Sequence, residues 1–164
     1  MRKSLWLLIT TLLSLALIMG CSSNVDDAMK AAEKYKKFEY TVKVSEDLLS
    51  NESAEQRNKE LKPFFTEYFY EKAVSSRYTT IPLQVAYKQK LSLQPENLIF
   101  SLSEQKKDII ELKYTVDLVL LDKEEKESDR VPLEGILTLF DVDGQWLIQG
   151  DRFDKDAFKK LIYD

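Results

Sequence analysis

Residues 135–148 read Gly-Ile-Leu-Thr-Leu-Phe-Asp-Val-Asp-Gly-Gln-Trp-Leu-Ile. Two apolar runs flank Asp143-Gly144, the pair best suited to the two positive φ angles of a two-residue type I′ turn. With the turn there, Val142 faces Gln145, Phe140 faces Leu147 and Leu139 faces Ile148. Trp146 and Ile148 then share a face with Leu137 and Leu139, while Phe140 and Leu147 share the other. Apolar groups on both faces predict a hairpin in the middle of a sheet. Gly135 predicts a bulge that bends it.

Upstream of this hairpin the same period of two continues. Ile110, Leu112, Tyr114, Val116, Leu118 and Leu120 alternate with Glu111, Lys113, Thr115 and Asp117. That pattern is an antiparallel strand with one wet face. Leu98, Phe100 and Leu102 predict another strand before it. The charged run Asp122–Arg130 between strands reads as a solvated hairpin loop. It has neither the glycine nor the bidentate glutamate of a calcium loop, and Lys123 and Lys126 interrupt its acids.

Before residue 91 the period is helical. Asp26 and Asp27 open a helix with acids at the positive end of its dipole. Val25, Ala28, Met29, Ala32 and Tyr35 form its buried face, and it runs on through Phe38. Ser53-Ala54-Glu55-Gln56 fits a capping box and predicts a second helix starting there. Pro63 suits the first turn of a third, with Phe64, Phe65, Tyr68, Phe69 and Val74 on its aromatic face. "SSRYTTIP" reads as a loop. "PLQVAYKQ" reads as a short helix with Pro82 at its start, with a strand as the alternative, and "KDAFKKLI" as a last helix. Helices followed by about four antiparallel strands make an α+β fold, with the N-terminal helices packed on a curved sheet.

The first twenty residues have a different character. Arg2 and Lys3 precede an uncharged run from Leu5 to Met19, too short for a membrane span and of the length of a secretory signal. The run ends Ile18-Met19-Gly20-Cys21, which resembles the lipobox of bacterial lipoproteins. The resemblance implies cleavage between Gly20 and Cys21 and a diacylglyceryl group on the Cys21 thiol. Cys21 is the only cysteine of the chain. Two acyl chains anchor stably where one is marginal. Residues 1–20 are thus expected to be a signal, 21–24 a lipidated tether and 25–164 one domain. The expected address is the outer side of a cell membrane, most simply that of a Gram-positive bacterium.

The 144 residues after that cleavage carry 22 basic and 28 acidic side chains, so the net charge moves from -4 to about -6. No basic stripe marks a nucleic-acid surface. The chain has no histidine, which removes the commonest general base and metal ligand. Neither a metal nor a cofactor is expected.

The N-terminal helices, the curled sheet and the closing Gly-Ile-Leu-Thr-Leu-Phe-x-Val-Asp-Gly-Gln-Trp-Leu-Ile hairpin resemble the NTF2-like (SnoaL-like, cone-shaped α+β) superfamily over residues 25–153. Gly144 and Trp146 occupy the places of its dG-x-W-x-I signature. "SSRYTTIPLQVA" is also similar to small Gram-positive lipoproteins carrying such domains. The resemblance implies a cone whose pocket, in the family's enzymes, usually holds His, Asp or Tyr. Candidate lining residues are Tyr68, Tyr87, Tyr114, Asp117, Trp146 and Asp151. None is assigned a catalytic role.

The expected function is a non-catalytic binding or protein-interaction module held at the cell envelope by its lipid. Partners in view are another envelope protein, a secretion or conjugation component, or wall polymer. A small-molecule carrier or sensor with an aromatic-lined cone is the alternative. A cone-type enzyme with a carboxylate base ranks behind both.

Overall fold

The computed structural model describes residues 24–163. The expected signal, its cleavage site at Gly20 and the lipidation site at Cys21 lie outside these residues. The described chain is α+β, with helix α1 over residues 24–40, α2 Asn51–Leu61, α3 Glu67–Ser75 and α4 Ile81–Gln89. Strands β1 Ser92–Lys106, β2 Ile109–Leu121, β3 Glu127–Val142 and β4 Gln145–Phe153 follow, and α5 Lys155–Tyr163 ends it. The sheet is antiparallel, in the order β1-β2-β3-β4, and does not close. Asn24, read as tether, is already helical.

The strand pattern holds closely. Ile110, Leu112, Tyr114, Val116, Leu118 and Leu120 are all buried. Asp143 and Gly144 take φ of 54° and 83°, the two left-handed residues a type I′ turn requires. Val142 pairs with Gln145, Phe140 with Leu147 and Leu139 with Ile148, as the apolar pattern predicts. On the inner face Leu137, Leu139, Trp146 and Ile148 are buried in one core with Ala28, Ala32 and Tyr35 of α1.

Four local expectations are corrected. First, β4 is an edge strand, not a central one. Its apolar groups are covered from the helical side, where Phe65 bridges Ile148 and the Thr66 amide donates to the Ile148 carbonyl at 3.0 Å. Second, Gly135 is not a bulge; it pairs in register with Tyr114 and Phe153. A Cβ at Gly135 would lie 2.5 Å from Tyr114 Oη and 2.6 Å from the Arg152 carbonyl, so glycine lets the tyrosine ring lie across the strand.

Third, α2 begins three residues early, because Ser50 is its N-cap and accepts from the Ser53 amide. Ser53 instead donates to the Asp47 carbonyl at 2.7 Å. Fourth, Pro63 sits in a separate 3-10 turn, Lys62–Phe64, and α3 starts afresh after Thr66 caps it. The loop before α4 also contains a 3-10 turn, Tyr78–Thr80, that buries Tyr78 and Thr79. Both turns place aromatic side chains under α1. Phe65 packs edge-on against the Tyr35 ring at 5.3 Å, and Phe64 lies 6.1 Å from it.

Candidate functional site

Tyr35, Lys36, Glu39 and Tyr40 recur at helical spacing, so α1 turns them toward one side. All four are at most 3 % exposed. Three further elements meet them there. Tyr78 comes from the 3-10 turn that follows Arg77, a residue held at φ 58°. Tyr114 comes from the middle of β2.

Asp151 comes from β4 and owes its direction to an irregularity. Thr138 pairs with Gly150 but Leu139 pairs with Ile148, so Gln149 is the extra residue of a bulge. Strict alternation from Trp146 would send Asp151 to the wet face. The bulge reverses the alternation and turns it inward beside Leu137. Gln149 is in turn held by the Thr66 hydroxyl at 2.5 Å.

Lys36 is the centre of the group. Its ammonium donates to Asp151 Oδ2 at 2.5 Å, Glu39 Oε2 at 2.6 Å and Tyr40 Oη at 3.1 Å. Those three bonds use all three of its protons. It also sits 4.5 Å from the Tyr40 ring centroid and 4.3 Å from that of Tyr114. Burial opposes its charge, but Asp151 and Glu39 outweigh burial and hold the ammonium well above its ordinary range.

The oxygens around it are short of protons. Tyr78 Oη contacts Glu39 Oε1, Asp151 Oδ2 at 2.6 Å and Tyr35 Oη at 2.8 Å. Tyr35 Oη also lies 2.9 Å from Glu39 Oε1 and 3.2 Å from Asp151 Oδ2. Two hydroxyls cannot donate in all of these contacts. Burial pushes the Glu39 carboxyl up; Lys36 works against this and the Asp151 charge adds to it. Arg57 approaches from the far side, donating to the backbone carbonyls of Phe38 at 3.1 Å and Glu39 at 2.5 Å. Its Nε has no partner among the described residues.

Burial holds the Tyr35, Tyr40, Tyr78 and Tyr114 hydroxyls above their ordinary range, so none supplies a phenolate base. The Lys36 and Asp151 side chains are both wholly excluded from solvent. The ammonium has no free electron pair for a Schiff base; a surface cleft of about 650 Å³ borders the cluster at Tyr78 and Asp151, and another of about 760 Å³ borders it at Tyr114. No group of acidic residues among those described is arranged to hold a metal.

Of the six candidate lining residues, the structure brings together Tyr114 and Asp151. Trp146 is 8 % exposed and paired across from Asp141, packed in the core away from Lys36. Tyr68 is 65 % exposed on α3. Asp117 lies on the outer sheet face, held by Asn97 at 2.8 Å and Arg130 at 3.2 Å, contacts that lower its carboxyl pKa. Tyr87 borders an open surface groove of about 730 Å³ with Val44, Lys88, Lys90 and Lys123. The remaining cluster members were not legible as a site. Lys36 and Glu39 have the i,i+3 spacing of any surface ion pair, and only the tertiary fold buries them.

No family model matches the chain, and no curated protein matches it. Among solved structures it is similar to one described as a periplasmic fragment of TraM. The two share 14 % identity, over 78 % of this chain and 95 % of that one, with a TM-score of 0.57. This similarity shows the α+β fold. No described helix is long and apolar enough to cross a membrane.

Proposed function

We propose that this chain is a lipid-anchored lipoprotein of the bacterial cell envelope whose NTF2-like domain acts as a non-catalytic protein-interaction module. The observation that carries the interaction reading is the filled interior. The place where a cone-shaped fold would receive a small molecule holds Lys36, Glu39, Asp151 and four tyrosines, all engaged with one another. A carrier needs a concave, largely preformed site. Here recognition falls to the outer surface, and an envelope protein is the expected partner.

The extracytoplasmic address rests on the lipobox-like Ile18-Met19-Gly20-Cys21. The fold likeness to a protein fragment described as periplasmic agrees with it.

A small-molecule thermal-shift screen, paired with chemical cross-linking in intact cells, tests the reading. A specific ligand raises the melting temperature by mass action. The interaction reading predicts no stabilising small molecule and a discrete cross-linked protein adduct that repeats between preparations. A saturable small-molecule shift without an adduct would favour the carrier.

A further inference from the structure

We infer that the domain stands on the phospholipid surface by the end of the sheet that carries the β1–β2 and β3–β4 turns, with the 122–126 loop pointing away. The inference rests on the proposed anchor at Cys21. It follows from the direction of α1 and from how little chain separates that helix from the lipid.

The two turns lie together. Lys106 pairs with Ile109, Ile109 with Phe140 and Phe140 with Leu147 in one cross-strand row. The Asp141 amide donates to the Asp108 carbonyl at 2.9 Å, tying the two turns to each other. The β2–β3 loop closes the opposite end, where Asp122 accepts from the amides of Glu124 and Lys126.

Helix α1 runs from the first end toward the second. Tyr35 meets Asp151, which pairs with Leu137, and Phe65, which bridges Ile148. Five residues later Tyr40 meets Tyr114, which pairs with Gly135. Val42 then bridges Leu93, which pairs with Leu120 next to the β2–β3 loop. Followed backward from Tyr35, the helix leads away from the β2–β3 loop while crossing from the β1 side of the sheet toward β4. The eleven residues from Tyr35 to Asn24 span about 16 Å of helix at 1.5 Å each. The six from Leu137 to Asp143 span about 20 Å of strand. An axis along the strands would bring Asn24 to within about 4 Å of the level of the turns, and a tilted axis would leave it further short.

Only Ser22 and Ser23 separate Asn24 from Cys21. Three peptide units reach about 10 Å at full extension. A lipid on Cys21 thus holds the turn end against the headgroups. Lys107, with a side chain 92 % exposed, and Val142, 41 % exposed, would face them together with the exposed acids Asp108 and Asp143. The 16-residue β3 puts the far loop about 50 Å away. The Tyr87–Lys123 groove then faces outward, where a partner can reach it.

Single cysteines introduced as Lys107→Cys and Lys123→Cys test this. Each is placed in the full lipidated chain, labelled with a fluorophore and reconstituted in phosphatidylglycerol–phosphatidylethanolamine vesicles carrying a headgroup-attached quencher. Quenching should be several-fold stronger at position 107 than at 123. A ten-residue Gly/Ser insertion after Ser23 should erase most of that difference while keeping the chain bound. Equal or reversed quenching with the chain bound would overturn the orientation and leave the anchor standing. Failure of the chain, like Cys21→Ala, to bind vesicles at all would overturn the anchor and the orientation with it.

Discussion

Lys36 Nζ lies 2.5 Å from Asp151 Oδ2, joining the first helix to the last strand where neither side chain reaches solvent. Removing one partner strands the other's charge in a dry site. Lys36→Met should therefore cost about 3–5 kcal/mol of unfolding free energy. Replacing the whole ion group with apolar residues of like volume should cost much less, because no orphaned charge remains. Urea titration of the two variants checks this. A single variant as stable as the wild type would mean the cluster carries no paired charge.

The cluster also sets the pH dependence. Burial raises the Glu39 carboxyl above its ordinary 4.5 in the folded state. The folded chain then holds that proton more tightly than the unfolded chain does. The stability this contributes is full below pH 4.5 and is lost as pH rises through the raised value. Glu39→Gln should flatten that descending arm in a pH series of urea midpoints. An unchanged slope would show that Glu39 does not hold the proton.

Alkaline behaviour follows with the same sign. Tyr35, Tyr40, Tyr78 and Tyr114 are all raised above their ordinary 10.0, chiefly by burial. Stability present below pH 10.0 is lost above it as the unfolded chain ionises first. In an absorbance titration at tyrosinate wavelengths, these four of the eight tyrosines should ionise only as the fold opens. Eight ionisations before any loss of helix signal would contradict the burial.

The two glycines of the closing hairpin should fail for different reasons. Gly144 has nothing within 4 Å of where a Cβ would sit, so Gly144→Val is costly only through its φ of 83°. A loss of roughly 1–2 kcal/mol is expected. Gly135→Ala has an ordinary backbone but meets Tyr114 and the Arg152 carbonyl, and overpacking of this kind costs about 1–3 kcal/mol. Thermal melts of the two variants check both.

Trp146→Ala should cost about 3–5 kcal/mol, the range for deleting a large buried aromatic. The ring is 8 % exposed and packs with Leu139 and Ile148 in the core. A loss below about 1 kcal/mol in a denaturant titration would contradict its core position.

The hairpin and β2 were legible because a period of two and an Asp-Gly pair are local signals. The helix starts were less so. Ser50 and Ser53 offer the same hydroxyl three residues apart, and only the turn from Asp47 decides between them. The edge position of β4 was hidden because Phe65 and Thr66 cover it from eighty residues away in the chain. The cluster was hidden for a related reason. Asp151 faces inward through one extra residue at Gln149, and a bulge leaves no mark on an alternating pattern that short. Tyr78 sat in a stretch read as a loop, and Lys36 looked like any other helix lysine.

The anchor is tested most directly by the intact mass of the chain extracted from membranes. The account predicts a polypeptide beginning at Cys21 and carrying a diacylglyceryl group on that residue. A chain that still begins at Met1, or one cut elsewhere with a free Cys21 thiol, would contradict it.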